Sequence, residues 1–282
     1  MKLLRYGPRG KEKPGLLDGD GKIRDLSRVV DDITPEVLSK AGLRELKKVN
    51  TAKLKVVPGR PRLGTPIATI PKIVCVGLNY RLHAQESGAA IPTEPVLFMK
   101  AITAITGPYD DVILPKGVKK GDWEVELGIV IGTKAQYVSE EDALKHVAGY
   151  TIVNDVSERH FQLERGGNWS KGKSCDTFAP IGPWLVTSDE VKDPQKLDLF
   201  CEVSGKMMQS STTADMIFDC RKIISYISQM MTLMPGDVIP TGTPSGVGMG
   251  QKPEQRWLQP GDTMRLGITG LGEQRQAVKA HK

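Results

Sequence analysis

Cysteine is scarce in this sequence. Cys75, Cys175, Cys201 and Cys220 are scattered, with no Cys-x-x-Cys pair and no histidine at ligand spacing, so neither a disulfide framework nor a thiolate zinc site is indicated. Reduced thiols are expected. No apolar run approaches eighteen residues, and the start, Met1-Lys2-Leu3-Leu4-Arg5-Tyr6, lacks the apolar core of a signal peptide. The expectation is a soluble, cytoplasmic protein with no membrane association. Aromatic residues make up only 5% of the chain, and the N-terminal segment has too few for a single-strand stacking platform. There is no internal repeat, no low-complexity tract and no dinucleotide fingerprint: Gly246-x-Gly248-x-Gly250 has the wrong spacing, and Pro253 follows before a helix could form.

What is present is enough chain, at 282 residues, for one large domain and a small one. The formal charge of +6 is unevenly spread. Residues 1 to 66 hold 16 of the 39 Lys/Arg and 8 of the 33 Asp/Glu, which leaves 23 against 25 for the rest. These basic residues are singly spaced among apolar and acidic ones, which reads as a solvated face and not as a nucleic-acid surface.

Met1 to Tyr6, Gly15 to Asp18 and Lys22 to Asp25 read as short strands separated by Gly and Asp turns. Thr34-Pro35-Glu36 places a capping hydroxyl before a proline and predicts a helix that ends near Gly42. Val57 to Pro66 carries three prolines and two glycines and is the expected linker, dividing a small α+β domain (1–66) from a larger domain (67–282). In the second part, Ile73 to Leu78 reads as a buried apolar strand, with further strands at Val96 to Lys100 and Asp110 to Leu114 and a hairpin around Ser204-Gly205. Ser139-Glu140-Glu141-Asp142 has capping-box spacing and predicts a helix of about two turns. Asp219 to Met234 is the one strong helical periodicity, its methionines expected to fill core. Many strands, few helices and no regular βαβ alternation indicate an α+β, mostly β fold.

The most informative stretch is Gly121-Asp122-Trp123-Glu124-Val125-Glu126-Leu127. Strand side chains alternate between faces, so Glu124 and Glu126 emerge together and need a cation unless that face simply meets water. A third carboxylate, Asp155, ends the apolar run Ala148 to Asn154, and element ends are where site residues are expected. Three oxygen donors without Cys or His favour a hard ion, Mg²⁺ or Mn²⁺, over zinc. His83 and Glu86, three apart after the strand ending at Leu78, can reach each other on one helical turn. They form either a general base with its orienting carboxylate or a solvent-facing loop pair.

Asn79-Tyr80-x-x-His83-x-x-Glu86, Glu124-x-Glu126, Asn154-Asp155-Val156-Ser157-x-Arg159, Gly172-Lys173-Ser174-Cys175-Asp176 and Thr241-Gly242-Thr243-Pro244-x-Gly246-Val247-Gly248 resemble, in order, the successive motifs of the fumarylacetoacetate hydrolase family. The resemblance runs from about Ile73 to the C-terminus. The N-terminal segment is similar to the small extra domain of bacterial members of this length, including hydrolases of 2,4-diketo-3-deoxy sugar acids and proteins labelled ureidoglycolate lyase.

The resemblance implies a mixed β-sandwich or β-roll core, homodimeric, with one Mg²⁺ or Mn²⁺ held by Glu124, Glu126 and Asp155. It implies Lys173 in the pocket, catalytic His83 and Glu86 on a lid, Arg159 and Gln162 against the substrate, and Thr243 near a substrate carboxylate. His160 stands where many members have an acid and is read as outside the chemistry. The implied activity is hydrolysis of a carbon–carbon bond in a 2,4-dioxo acid, of acylpyruvate or diketo-deoxy sugar type, to a 2-keto acid such as pyruvate. Oxaloacetate decarboxylation, isomerisation of an unsaturated diacid and ureidoglycolate lysis at the same metal remain alternatives, as does a non-catalytic, metal-dependent ligand binder.

Overall fold

The computed structural model describes residues 1–281. Its centre is an eleven-stranded mixed sheet. Along the sheet run, in order, Ile23–Asp25, Lys13–Leu17, Lys2–Tyr6, Ala179–Thr187, Val147–Asn154, Val125–Ile131, Val238–Pro240, Ile73–Gly77 and Val96–Lys100. Most neighbours are antiparallel; Val238–Pro240 and Ile73–Gly77 are parallel. The central strands, Val125–Ile131 and Val147–Asn154, are buried at every position, as befits a sheet covered on both faces. A second sheet of five strands, Lys206–Thr212, Asp198–Val203, Thr263–Ile268, Gly272–Ala280 and Val112–Leu114, covers the strands that carry Glu126 and Asn154. The chain is therefore mostly β, in an α+β arrangement. No helix among the described residues is long and apolar enough to cross a membrane.

Neutral amides join the two sheets. Gln209 Oε1 accepts from Val125 N at 3.0 Å, Gln274 Nε2 donates to Ile152 O at 2.9 Å, and Asn154 Nδ2 donates to Gln276 Oε1 at 3.2 Å. Each amide satisfies a buried polar group that would otherwise destabilise the fold by about 1–3 kcal/mol. The N-terminal strands join the same sheet: Lys2 and Leu3 pair with Val186 and Leu185, so the sheet runs on across residue 66.

Four local expectations are corrected. The helix expected to begin at Thr34 and end near Gly42 instead spans Lys40–Lys47, because Ser39 supplies the cap, its Oγ accepting from Gly42 N at 3.1 Å. Gly42 sits in the first turn, where a Cβ would lie 2.5 Å from Val37 O. The Ser139 cap does form, accepting from Asp142 N at 3.2 Å. Only one 3-10 turn follows, Ala143–His146, because the chain enters the sheet at Val147. The C-terminal helix spans Cys220–Met230, capped by Asp219 at 2.8 Å from Lys222 N. Leu233 then pairs with Ala135, so Met230 and Met234 fall outside the buried stripe and are exposed. Lastly, Arg5, Arg24 and Arg62 of the basic segment are not simply solvated. They reach Asp32, Asp18 and Asp110 at 2.6–2.7 Å, since short strands leave their long side chains lying along the protein surface.

Candidate active site

Glu124 immediately precedes the strand Val125–Ile131, and Glu126 is its second residue. Asp155 follows the last residue of the neighbouring strand, Val147–Asn154, its N–H donating to Glu124 O at 2.9 Å. Strand alternation and antiparallel pairing therefore bring all three carboxylates to one side of the sheet. They offer ligand oxygens within 4.8 Å of one another, and all three residues are buried.

The surrounding cations are spent unequally. Lys173 Nζ lies 2.6 Å from Glu124 Oε2 and 2.7 Å from Asp155 Oδ2. Arg159 pairs with Glu124 at 2.6 Å and with Asp122 at 2.8 Å. Lys100 takes the other oxygen of Asp155. Glu126 has no Lys or Arg in ion-pair contact among the described residues; its Oε2 accepts the Gly242 N–H at 2.8 Å. Gly242 has φ +97°, a conformation glycine adopts without strain.

The electrostatics follow from this asymmetry. Burial pushes the Glu124 carboxyl up, but the charges of Lys173 and Arg159 outweigh it and hold the group well below the usual carboxylate range. Burial, reinforced by Asp155 and Glu124, pushes Glu126 well above that range. Burial opposes charge on Lys173, but Asp155 and Glu124 raise it above the ordinary lysine value, so its ammonium is a permanent charge and not a base. A divalent cation fits the donor set: three oxygens converge, the cluster includes no Cys or His, and one acid lacks a counter-charge.

The segment after Ile73–Gly77 turns sharply at Leu78, whose φ of +52° is rare for a bulky side chain. Asn79 ties that turn to Thr241 O and Phe218 O at 2.8 and 3.0 Å. The short helix Arg81–Glu86 then carries His83 inward. His83 Nδ1 lies 3.2 Å from Glu86 Oε2, and Glu86 Oε1 accepts from Gly246 N at 2.9 Å. His83 is buried and lines, with Glu124, Glu126, Arg159 and Lys173, a cavity of about 180 Å³. The solvent-facing alternative for this pair is thereby set aside.

Gln162 and Thr243 also border the cavity. The Arg159 guanidinium is engaged by Asp122, Glu124 and Gln162 Oε1. The Thr243 hydroxyl donates to Val125 O at 2.9 Å and accepts from Gln209 Nε2 at 2.8 Å. His160 faces Glu164 at 3.0 Å and does not border the cavity.

Three contributors escaped the sequence reading. Asp122 continues the parity of Glu124 and Glu126 and anchors Arg159, while its oxygens accept from Gly248 N and Met249 N at 2.6 and 3.1 Å. Lys100 ends a strand, as Asp155 follows one, and position alone could have flagged it. Gln209 braces Val125, between the two glutamates, from the opposite sheet; only tertiary contact reveals it.

Comparison with known proteins agrees with this arrangement. The family model described as fumarylacetoacetate (FAA) hydrolase C-terminal matches residues 72–279. A Burkholderia ambifaria protein carrying only a provisional hydrolase name is 56% identical over 279 residues, 99% of each chain. Among solved structures, fumarylacetoacetate hydrolase from Exiguobacterium antarcticum superposes with TM-score 0.88 at 36% identity, covering 100% of both chains. Maleylpyruvate hydrolase from Sphingobium sp. SYK-6, in complex with manganese(II) and pyruvate, does so with TM-score 0.83 at 30% identity, again over 100% of both. A Mycobacterium marinum 2-hydroxyhepta-2,4-diene-1,7-dioate isomerase gives TM-score 0.79 at 34% identity, covering 99% of this chain and 98% of that one. With its three acids, its histidine–glutamate pair and matches along nearly its whole length, the chain belongs to the fumarylacetoacetate hydrolase family.

Proposed function

We propose that this protein is a divalent-metal-dependent hydrolase that cleaves a carbon–carbon bond in a 2,4-dioxo acid, an acylpyruvate or a diketo-deoxy sugar acid, releasing a 2-keto acid such as pyruvate. One observation carries the reading: of three convergent acids, Glu124 and the counter-charge-free Glu126 line one cavity with His83, which Glu86 contacts from behind. Glu124, Glu126 and Asp155 would hold Mg²⁺ or Mn²⁺. The bound ion supplies two-point attachment for a dicarbonyl and a sink for the electrons of the broken bond.

His83 handles the proton. With Nδ1–H directed to Glu86, Nε2 takes a proton from the water that adds to the distal carbonyl. Glu86 then offsets the imidazolium charge. Cleavage gives a carboxylic acid from the distal side and the enolate of the 2-keto acid, to whose carbon His83 returns the proton. Lys173, held cationic by Glu124 and Asp155, adds positive charge where negative charge develops. Arg159, Gln162 and Thr243 shape the substrate wall and hold the acids in place. Homodimerisation belongs to the same proposal and rests on the family resemblance.

The Sphingobium structure, with manganese and pyruvate together, supports the metal and product side of this reading. The likeness to the Mycobacterium marinum isomerase favours a second reading, keto–enol isomerisation, which needs no attacking water. The intact His83–Glu86 contact supports hydrolysis. Butanoylpyruvate and oxaloacetate, assayed side by side with Mn²⁺, separate the readings: butanoylpyruvate is cleaved faster. A His83→Ala protein is expected to bind Mn²⁺ as before and to lose about 10²-fold or more in kcat. Full activity in that variant would remove His83 from the chemistry, and metal binding with no turnover of any keto acid would leave a ligand binder.

A further inference from the structure

The lining of the cavity is chemically uneven. Glu124, Glu126, Lys173 and His83 give it charge. From Lys173 it passes to aromatic surface: the Lys173 ammonium lies over the Phe98 ring, 5.1 Å from its centroid, and the Phe98 ring meets Trp169 at 5.5 Å between centroids, tilted by 59°. Val76, Leu163 and Met249 continue this wall. Trp169 takes its place because residue 77 is glycine: a Cβ there would sit 2.3 Å from the indole ring.

Charge on the wall is already committed. The basic residues bordering the cavity are Arg159, Lys173 and His83. Arg159 serves Asp122 and Glu124, Lys173 serves Glu124 and Asp155, and His83 faces Glu86. The ion-paired set of Asp122, Glu124, Asp155, Arg159, Lys173 and Lys100, taken with Glu126, holds four carboxylates against three cations. With Glu126 ionised on a bound divalent ion, the set would carry a single positive charge, which one substrate carboxylate matches. A second carboxylate, against Trp169, would be desolvated beside aromatic rings with no unpaired cation to meet it, and a chain of hydroxyls there would lose most of its hydrogen bonds.

We infer that the distal group of the substrate is compact, uncharged and apolar, so that the substrates are short alkyl acylpyruvates and neither dicarboxylic nor polyhydroxylated acids. This deepens the proposed function and rests on it for the placement of the 2-keto acid head on the metal. Phe98 and Trp169 are the specificity-determining residues. Size agrees: an apolar cavity of about 150 Å³ accommodates benzene, so about 180 Å³ admits a pyruvoyl head and little more than a short acyl group.

The test compares two uncleaved ligands of equal chain length, 2-oxohexanoate and 2-oxoadipate, by calorimetry on the full chain with saturating Mn²⁺. 2-Oxohexanoate is expected to bind at least about tenfold more tightly; equal or tighter binding of 2-oxoadipate overturns the inference. Trp169→Ala is expected to weaken 2-oxohexanoate by about tenfold and to leave pyruvate, which has no tail, unchanged. Unchanged binding of 2-oxohexanoate, or a parallel loss of pyruvate binding, would overturn the role given to Trp169. Hydrolysis of butanoylpyruvate is followed in parallel. A preference for 2-oxohexanoate without such hydrolysis would refute the hydrolytic reading and leave the apolar distal end standing.

Discussion

The arginines of the N-terminal strands and the charged groups around Glu124 are both ion-paired, yet only the second set is out of reach of water. Arg62 bridges Glu12 and Asp110 at 2.7 and 2.6 Å with about a quarter of its side chain exposed. Lys173, by contrast, bridges Glu124 and Asp155 with 2% exposed. The N-terminal set clips strands to the sheet in a screened environment, where each pair contributes about 1 kcal/mol or less. Around Glu124, desolvation opposes the charged state of every group, and each pair offsets it only while both partners are present. Groups kept ionised at such expense, with one acid left over, point to chemistry and not to stability.

The comparison breaks most sharply at the two glutamates themselves, because the same substitution should act very unequally. Glu124→Gln leaves Arg159 and Lys173 short of a partner and should destabilise the protein by about 3–5 kcal/mol, with turnover lost. Glu126→Gln replaces a carboxyl that burial and its acidic neighbours already hold uncharged in the metal-free protein with a neutral amide of the same shape, and should change metal-free stability by less than about 1 kcal/mol, with turnover also lost. Thermal unfolding in a chelator reads both; a loss of similar size in the two variants would contradict the assigned charge balance.

A smaller effect is expected at the neutral brace. Gln209→Leu strands Val125 N and two acceptors, Thr243 Oγ1 and Pro244 O, and should destabilise by about 1–3 kcal/mol. Because Val125 lies between the two glutamates, Mn²⁺ affinity should fall as well. Reduced stability with unchanged Mn²⁺ affinity would make Gln209 a purely structural residue.

The smallest effect belongs to the N-terminal clip. Burial opposes ionisation of Asp110, but the Arg62 guanidinium and the Gly107 N–H outweigh it and hold the carboxyl below its usual value. A depressed folded-state value means the unfolded chain takes up protons first on acidification. The stabilisation is therefore complete above pH 5 and is lost as pH falls below about 4. Arg62→Ala should lower stability by about 1 kcal/mol at neutral pH and less in acid, with kcat unchanged. A deficit that persisted undiminished at pH 3 would show that Arg62 acts through packing and not through charge.

Much of the site was legible because strand periodicity is rigid. Residues two apart on a strand must share a face, so Glu124 and Glu126 converge wherever the strand lies, and Asp155 falls at the end of an apolar run that could only be another strand. His83 and Glu86 were legible by helical spacing on the same grounds. Lys100, Gln209 and Arg159's bond to Asp122 were hidden because each depends on which strands are neighbours, and sequence pattern does not carry strand order. The helix boundaries at Lys40 and Ala143 were missed for a local reason. Ser39 competed with Thr34 as a cap, and the strand from Val147 left room after Ser139 for only one 3-10 turn, which starts from Asp142.

The most direct test of the central claim, that three acids converge on one hard cation, is a calorimetric titration of Mn²⁺ into the wild-type protein and into Glu126→Gln, with no substrate present. The account predicts one ion per chain for the wild type and no measurable binding for the folded variant. Binding of equal affinity and stoichiometry to the variant would contradict it.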